Sequence, residues 1–165
     1  MQAQNHIAVY AGTFDPVTLG HLWIIKAGSS LFDKLFVAVG TNPDKKGYFS
    51  LEDRMAMLRE SVAGYKNVVV DKYTNKFLIK YAESIGARFI LRGIRSTTDY
   101  EYEKAMNYVN RHLNPEIVTV SLLPPREMVE ISSSTVRGLI GPEGWESVVA
   151  EYVPQCVLER LMLRK

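Results

Sequence analysis

Cysteine is almost missing from this chain. Cys156 is the single one among 165 residues, which excludes an internal disulfide and any metal site built from several thiolates. Long apolar runs are missing too, and none approaches the roughly 20 residues that a membrane helix needs. The first residues, MQAQNHIAVY, lack the basic stretch and apolar core of a secretory leader. A cytoplasmic setting with no membrane partner is the expectation. Neither sign of charge dominates, with 20 Lys+Arg against 18 Asp+Glu, so the concentrated basic face of a nucleic-acid binder is not expected. Two phosphate-binding fingerprints are also absent: the G-x-G-x-x-G dinucleotide turn and the Walker A loop.

What remains is the composition of one ordinary globular domain, 47% hydrophobic and 23% charged, spanning 1–165. Five short runs rich in Val, Ile and Phe predict strands at 7–11, 35–40, 68–70, 89–91 and 117–123. They are continuous rather than alternating, as in a parallel sheet covered on both faces. Helical spacing fills the gaps. Leu22, Ile25 and Ser29 share one stripe, and Leu51, Met55, Leu58 and Val62 share another behind the Ser50/Asp53 start signal. Leu78, Tyr81, Ala82 and Ile85 form a third that stops at Gly86. Tyr102, Met106, Val109 and Leu113 form a fourth that ends before Pro115. The order βαβαβαβαβ predicts an α/β fold: a single-domain, Rossmann-like open five-stranded parallel sheet, with helices on both faces and a C-terminal helical tail.

In such folds ligands bind beyond the carboxyl ends of the strands, and the unusual residues gather there. Segment 12–21 follows the first strand, 42–47 the second, 92–99 the fourth, and 132–137 comes after the fifth. Gly12 and Gly20 allow close backbone approach. Thr18 is the expected N-cap of the next helix, which puts His21 in its first turn, where free amides and the helix dipole favour phosphate. Position alone leaves His21 open as a ligand or as a capping residue. Its charge is open too, since the helix end disfavours imidazolium and bound phosphates favour it. Lys45, Lys46, Arg92 and Arg95 supply cations, and "EISSSTVRG" supplies hydroxyls that also suit an ordinary cap. Nucleophile–base pairs are scarce. That combination suits phosphoryl or nucleotidyl transfer in which the substrate brings the attacking oxygen: a phosphomonoester with a second pKa near about 6 needs no protein base, and positioning with electrostatic stabilisation supplies the rate.

The segments "YAGTFDPVTLGH", "KKGYFSLEDR", "LRGIRSTTDYEYE", "VNRHL" and "ISSSTVR" resemble the bacterial phosphopantetheine adenylyltransferases, with Thr18-Leu19-Gly20-His21 in place of that superfamily's TxGH/HxGH signature. The resemblance implies transfer of AMP from ATP to 4'-phosphopantetheine with release of pyrophosphate, a step of coenzyme A biosynthesis, together with Mg²⁺ and a homohexamer of two trimers. It implies a catalytic set of His21, Lys45, Thr13 and Arg95. It puts Gly12, Thr13, Phe14, His21, Gly93, Arg95, Glu103, Ile131, Ser132, Ser133, Ser134 and Arg137 on the ATP side. Thr13, Lys45 and Arg92 would hold the acceptor phosphate, and Phe77, Leu78, Met106 and Asn110 the pantetheine arm. The chain departs from the family pattern at Ala11, Leu19, Trp23, 75–78 and Gly138. Two other readings stay open: a nucleotidyltransferase for a different phosphorylated acceptor or for CTP, and a nucleotide-binding protein without catalysis.

Overall fold

The computed structural model describes residues 5–41 and 46–164. Five strands, β1 (Ile7–Gly12), β2 (Lys34–Thr41), β3 (Val68–Thr74), β4 (Phe89–Gly93) and β5 (Val118–Leu122), form one sheet in the order β3-β2-β1-β4-β5. All four pairings are parallel. The chain winds outward from β1 to β3, then crosses back to add β4 and β5 on the other side. The strand order therefore reverses between β1 and β4, where a crevice opens at the carboxyl ends.

Alternate side chains of β1 enter two separate cores. Ala8 and Tyr10 join Leu35, Val37 and Leu91 in the larger one. It is closed by α1 (Leu19–Leu31), α2 (Leu51–Val62) and the tail helices α5 (Ser133–Leu139), α6 (Trp145–Val149) and α7 (Gln155–Met162). Val9 and Ala11 join Ala38 and Ile90 in the smaller one, covered by α3 (Leu78–Ser84). Helices thus cover both faces, which is why the strands read as continuous apolar runs.

Three details differ from the sequence expectation. The buried stripe of α1 is Ile24, Ile25 and Gly28 rather than Leu22, Ile25 and Ser29. A Cβ on Gly28 would lie 2.6 Å from Leu91 and 3.0 Å from Leu35, so the backbone of α1 itself rests on the sheet. β3 runs to Thr74, four residues beyond the apolar segment, because backbone pairing with β2 continues through Asp71 and Lys72 on this edge strand. The stripe of α4 (Thr97–Leu113) does not enter the core: Tyr102, Val109 and Leu113 are exposed, and Asn110 is the helix's one buried residue. Among the described residues, no helix is long and apolar enough to cross a membrane.

Candidate active site

A cavity of about 540 Å³ opens at the β1/β4 crossover. β1 and its loop contribute Tyr10, Gly12 and Thr13, and α1 contributes Gly20, His21 and Ile24. Arg92, Gly93 and Arg95 come from β4 and its loop, Asp99 and Glu103 from α4, and Ile131 to Ser134 from the segment entering α5. A second cavity of about 280 Å³ adjoins it, lined by Phe77, Leu78, Ile90, Met106, Asn110 and Thr119. Arg92, Tyr102 and Glu103 belong to both walls. The two chambers therefore meet at one ion pair.

The end of β1 and the loop after it are held from four directions through their carbonyls. Arg92 donates to the carbonyl of Ala11 at 2.9 Å and Arg54 to that of Thr13 at 3.0 Å. Arg137 donates to the carbonyl of Asp15, and Ser133 Oγ to that of Pro16 at 2.8 Å. The Asp15–Pro16 peptide is cis, and Phe14 has φ of 47°, a left-handed conformation uncommon for a bulky residue. Phe14 is buried with its ring edge-on to His21, centroids 5.0 Å apart.

Thr18 caps α1 through a reciprocal bond with His21. The Thr18 amide donates to His21 Nδ1 at 3.0 Å, and the Thr18 hydroxyl lies 2.9 Å from the same nitrogen. An Nδ1 that accepts a backbone N–H cannot also carry the proton of a neutral ring, so the proton sits on Nε2. Burial, aided by the Arg95 charge, lowers the His21 pKa to about 4. At neutral pH the cavity therefore contains an uncharged imidazole that offers one N–H. His21 is thus a capping residue and a cavity residue at once, and burial favours the neutral ring in the ligand-free site.

The cations are organised by carboxylates. Arg92 pairs with Glu103. Burial opposes its charge, but the Glu103 bond and charge outweigh burial and hold the guanidinium above its usual range. Arg95 pairs with Asp99 at 3.1 Å and donates to the carbonyl of Ile131 at 3.2 Å, joining the β4 loop to the serine segment. Burial opposes the Asp99 charge as well, yet the Arg95 bonds leave its pKa below the ordinary value. Burial, against the pull of the Arg92 and Arg95 charges and with a smaller push from Glu103, drives the Tyr10 phenol far above its usual pKa, keeping it protonated.

Most of the residues singled out in the sequence therefore converge on these two chambers. Phe14 and Arg137 do not line either cavity: Phe14 lies beneath His21, and Arg137 braces Asp15. Lys45 falls outside the described residues, and Lys46 is exposed. Sequence reasoning missed Tyr10, Ile24, Asp99 and Thr119. Asp99 had a signal, since it follows Ser96 by the three residues of an N-cap pair. Thr119 had none, and its hydroxyl is the single buried side-chain N or O without a partner among the described residues.

Comparison with known proteins gives this geometry its relatives. The cytidylyltransferase-like family model matches residues 9–139. A phosphopantetheine adenylyltransferase of Chromobacterium violaceum is 54% identical over 155 residues, covering 94% of each chain. One from Neisseria meningitidis serogroup C is 52% identical, covering 94% of this chain and 91% of its own. Among solved structures, the nicotinic acid mononucleotide adenylyltransferase of Plasmodium falciparum complexed with NaAD superposes with a TM-score of 0.67 at 14% identity, covering 98% and 96%. A putative nicotinate-nucleotide adenylyltransferase of Vibrio parahaemolyticus gives 0.67 at 18%, covering 96% and 99%. At such low identity these two speak for the fold alone. The near full-length match to the first pair leads to one conclusion: this chain belongs to the phosphopantetheine adenylyltransferase family.

Proposed function

We propose that the chain transfers AMP from ATP to 4'-phosphopantetheine, giving dephospho-coenzyme A and pyrophosphate. The observation that carries the reading is the pair of chambers sharing Arg92 and Glu103, in a chain more than half identical to a phosphopantetheine adenylyltransferase. The larger, more polar chamber takes ATP. The smaller one takes the pantetheine arm, with Phe77, Leu78 and Met106 against its apolar stretches. The unpaired Thr119 hydroxyl gives an amide-bearing chain a hydrogen-bond partner there. Arg92, at the boundary, receives the acceptor phosphate.

An oxygen of that phosphate attacks the α-phosphorus of ATP, and the bond from phosphorus to the α,β-bridging oxygen breaks as pyrophosphate leaves. The acceptor is largely dianionic at neutral pH and needs no deprotonation. The protein holds two mutually repelling anions in line and stabilises the charge that grows at the α-phosphate. Neutral His21 supplies an N–H donor to that centre, Thr13 orients the acceptor, and Lys45 and Arg95 neutralise phosphate oxygens. Gly12, Gly93, Glu103 and the residues Ile131, Ser132, Ser133 and Ser134 surround the nucleotide. Phe14 and Arg137 serve the same side indirectly, by supporting His21 and the loop.

Mg²⁺ would arrive with the phosphates of ATP rather than as a resident ion. Among the described residues no three His, Cys, Asp or Glu side chains form a metal cluster, and the cavity carboxylates Asp99 and Glu103 are engaged by Arg95 and Arg92. The chain works in the cytoplasm and as a homohexamer; the assembly is supported by the exposed Tyr108 and Leu113 of α4 and Val118 of β5, apolar residues outside both chambers. Sedimentation at micromolar concentration tests the assembly. Pyrophosphate release with ATP, Mg²⁺ and a panel of phosphorylated acceptors tests the reaction. Selective turnover of 4'-phosphopantetheine is expected; preference for another acceptor, or ATP binding without turnover, overturns the reading.

A further inference from the structure

α2 carries a buried cation that neither chamber accounts for. Arg54 is 9% exposed and lines neither chamber. Its Nη1 donates to the carbonyl of Thr13 at 3.0 Å, and its Nε to the carbonyl of Ser50 at 3.3 Å. Asp15, 8% exposed, answers from the other side: its carboxylate accepts the amides of Tyr48 at 2.6 Å and Phe49 at 2.8 Å. Each charge thus grips the backbone of the other's segment. Gly47 sits where they meet. A Cβ there would lie 2.9 Å from the Phe49 carbonyl, 3.2 Å from Asp15 Oδ2 and 3.7 Å from Arg54 Cζ, so a side chain would push the brace apart.

Buried charges are a poor way to gain stability, because apolar residues of similar size often do as well or better. A buried cation that holds one carbonyl at the mouth of a reaction cavity has a more specific effect: it fixes where Thr13 stands. We propose that Arg54 is a positioning residue for catalysis, acting through Thr13 and locking the β1 loop to the 46–50 segment. The proposal rests on the adenylyl transfer described above. Arg54 touches no substrate. It sets the distance between the residue that orients the acceptor and the His21 centre, and displacement by about 1 Å at such a site costs about 10²-fold in rate.

A double-mutant cycle with full steady-state kinetics tests this, using the intact chain, ATP, Mg²⁺ and 4'-phosphopantetheine. Arg54→Met is expected to lower kcat about 10²-fold while the KM for ATP changes less than about threefold. Arg54→Lys, which keeps one donor for the Thr13 carbonyl, should recover at least about tenfold of that loss. In a Thr13→Ala background Arg54→Met should cost less than about threefold more, because coupled positions are not additive. Multiplicative losses in the two backgrounds, or kcat unchanged in folded Arg54→Met, overturn the proposal. If Arg54→Met does not fold, the same cycle with Arg54→Gln decides by the same criterion. A wild type that turns over no phosphorylated acceptor sinks the reaction and this inference together; an active wild type with additive losses counts against Arg54 alone.

Discussion

The two chambers are built in opposite ways. The larger one is cross-braced: Arg95 ties the β4 loop to Ile131, Ser133 ties the α5 entrance to Pro16, and Arg54, Arg92 and Arg137 each hold a carbonyl of β1 or of the loop after it. The smaller one sets the strand residues Ile90 and Thr119 against side chains of α4, of α3 and of the segment before α3, and part of that wall is exposed. α3 starts at Phe77 with no side-chain cap bond, Phe77 itself is 70% exposed, and α4 buries only Asn110. The difference follows the chemistry each would serve. In-line attack at phosphorus tolerates little displacement, so its donors are fixed before substrate arrives. An unbranched arm of apolar and amide groups binds by area and a few hydrogen bonds, which a looser wall supplies.

That contrast predicts rate defects on one side and binding defects on the other. The largest effect is expected at His21. His21→Ala should lower kcat about 10²–10³-fold, the usual result of deleting one well-placed donor, with the Kd for ATP changed only a few-fold. Parallel loss of ATP binding and rate would instead make the ring a binding group.

Arg92→Ala, at the boundary, should weaken acceptor binding roughly 10–100-fold, the scale of a lost charge-assisted hydrogen bond. Calorimetric titration of 4'-phosphopantetheine checks this, and a normal Kd removes Arg92 from the acceptor site. Further out, Thr119→Val should raise the acceptor KM about three- to tenfold while leaving ATP binding unchanged and thermal stability unchanged or higher, since a buried unpaired hydroxyl is removed. The deleted hydroxyl has no partner in the protein, so any loss must come from a bond made to ligand. An unaltered acceptor KM would leave that cavity without the proposed contact.

The smallest effect is on stability. His21 has a folded pKa lowered to about 4, against about 6.5 in an unfolded chain. Above that unfolded value neither state binds the proton, and the full contribution is present. As pH falls towards 4, the unfolded chain takes up a proton that the folded one refuses, and stability declines. At pH 6 the cost is about 1 kcal/mol. Denaturant titrations of wild type and His21→Asn at pH 7.5 and 6 should show the extra slope only in wild type. An NMR titration of the ligand-free ring with a midpoint near 6.5 would contradict it.

The strands and the rim were legible because both leave local marks. Parallel strands buried on two faces are bare apolar runs, and loops that receive anions concentrate Gly, Ser, Thr and Arg. Residues that act through tertiary contact left none. Arg54 stands in "LEDRMAML", where a charge reads as part of a solvated helix face, and only packing against the β1 loop buries it. Tyr10 is hidden in an apolar strand, and its place in the cavity follows from strand alternation. Arg137 was visible as a cation near the rim, but its guanidinium is taken by the carbonyl of Asp15. The α4 stripe was real as periodicity and misleading as burial, because periodicity identifies an apolar side without naming what covers it.

Transfer of label from ATP is the most direct check on the central claim that an acceptor phosphate attacks the α-phosphorus at the junction of the two chambers. With ATP labelled at the α-phosphate and unlabelled 4'-phosphopantetheine, the label should appear in dephospho-coenzyme A, matched one for one by unlabelled pyrophosphate. Label recovered as free AMP or ADP, or an acceptor labelled only when the γ-phosphate carries the tag, would contradict the account.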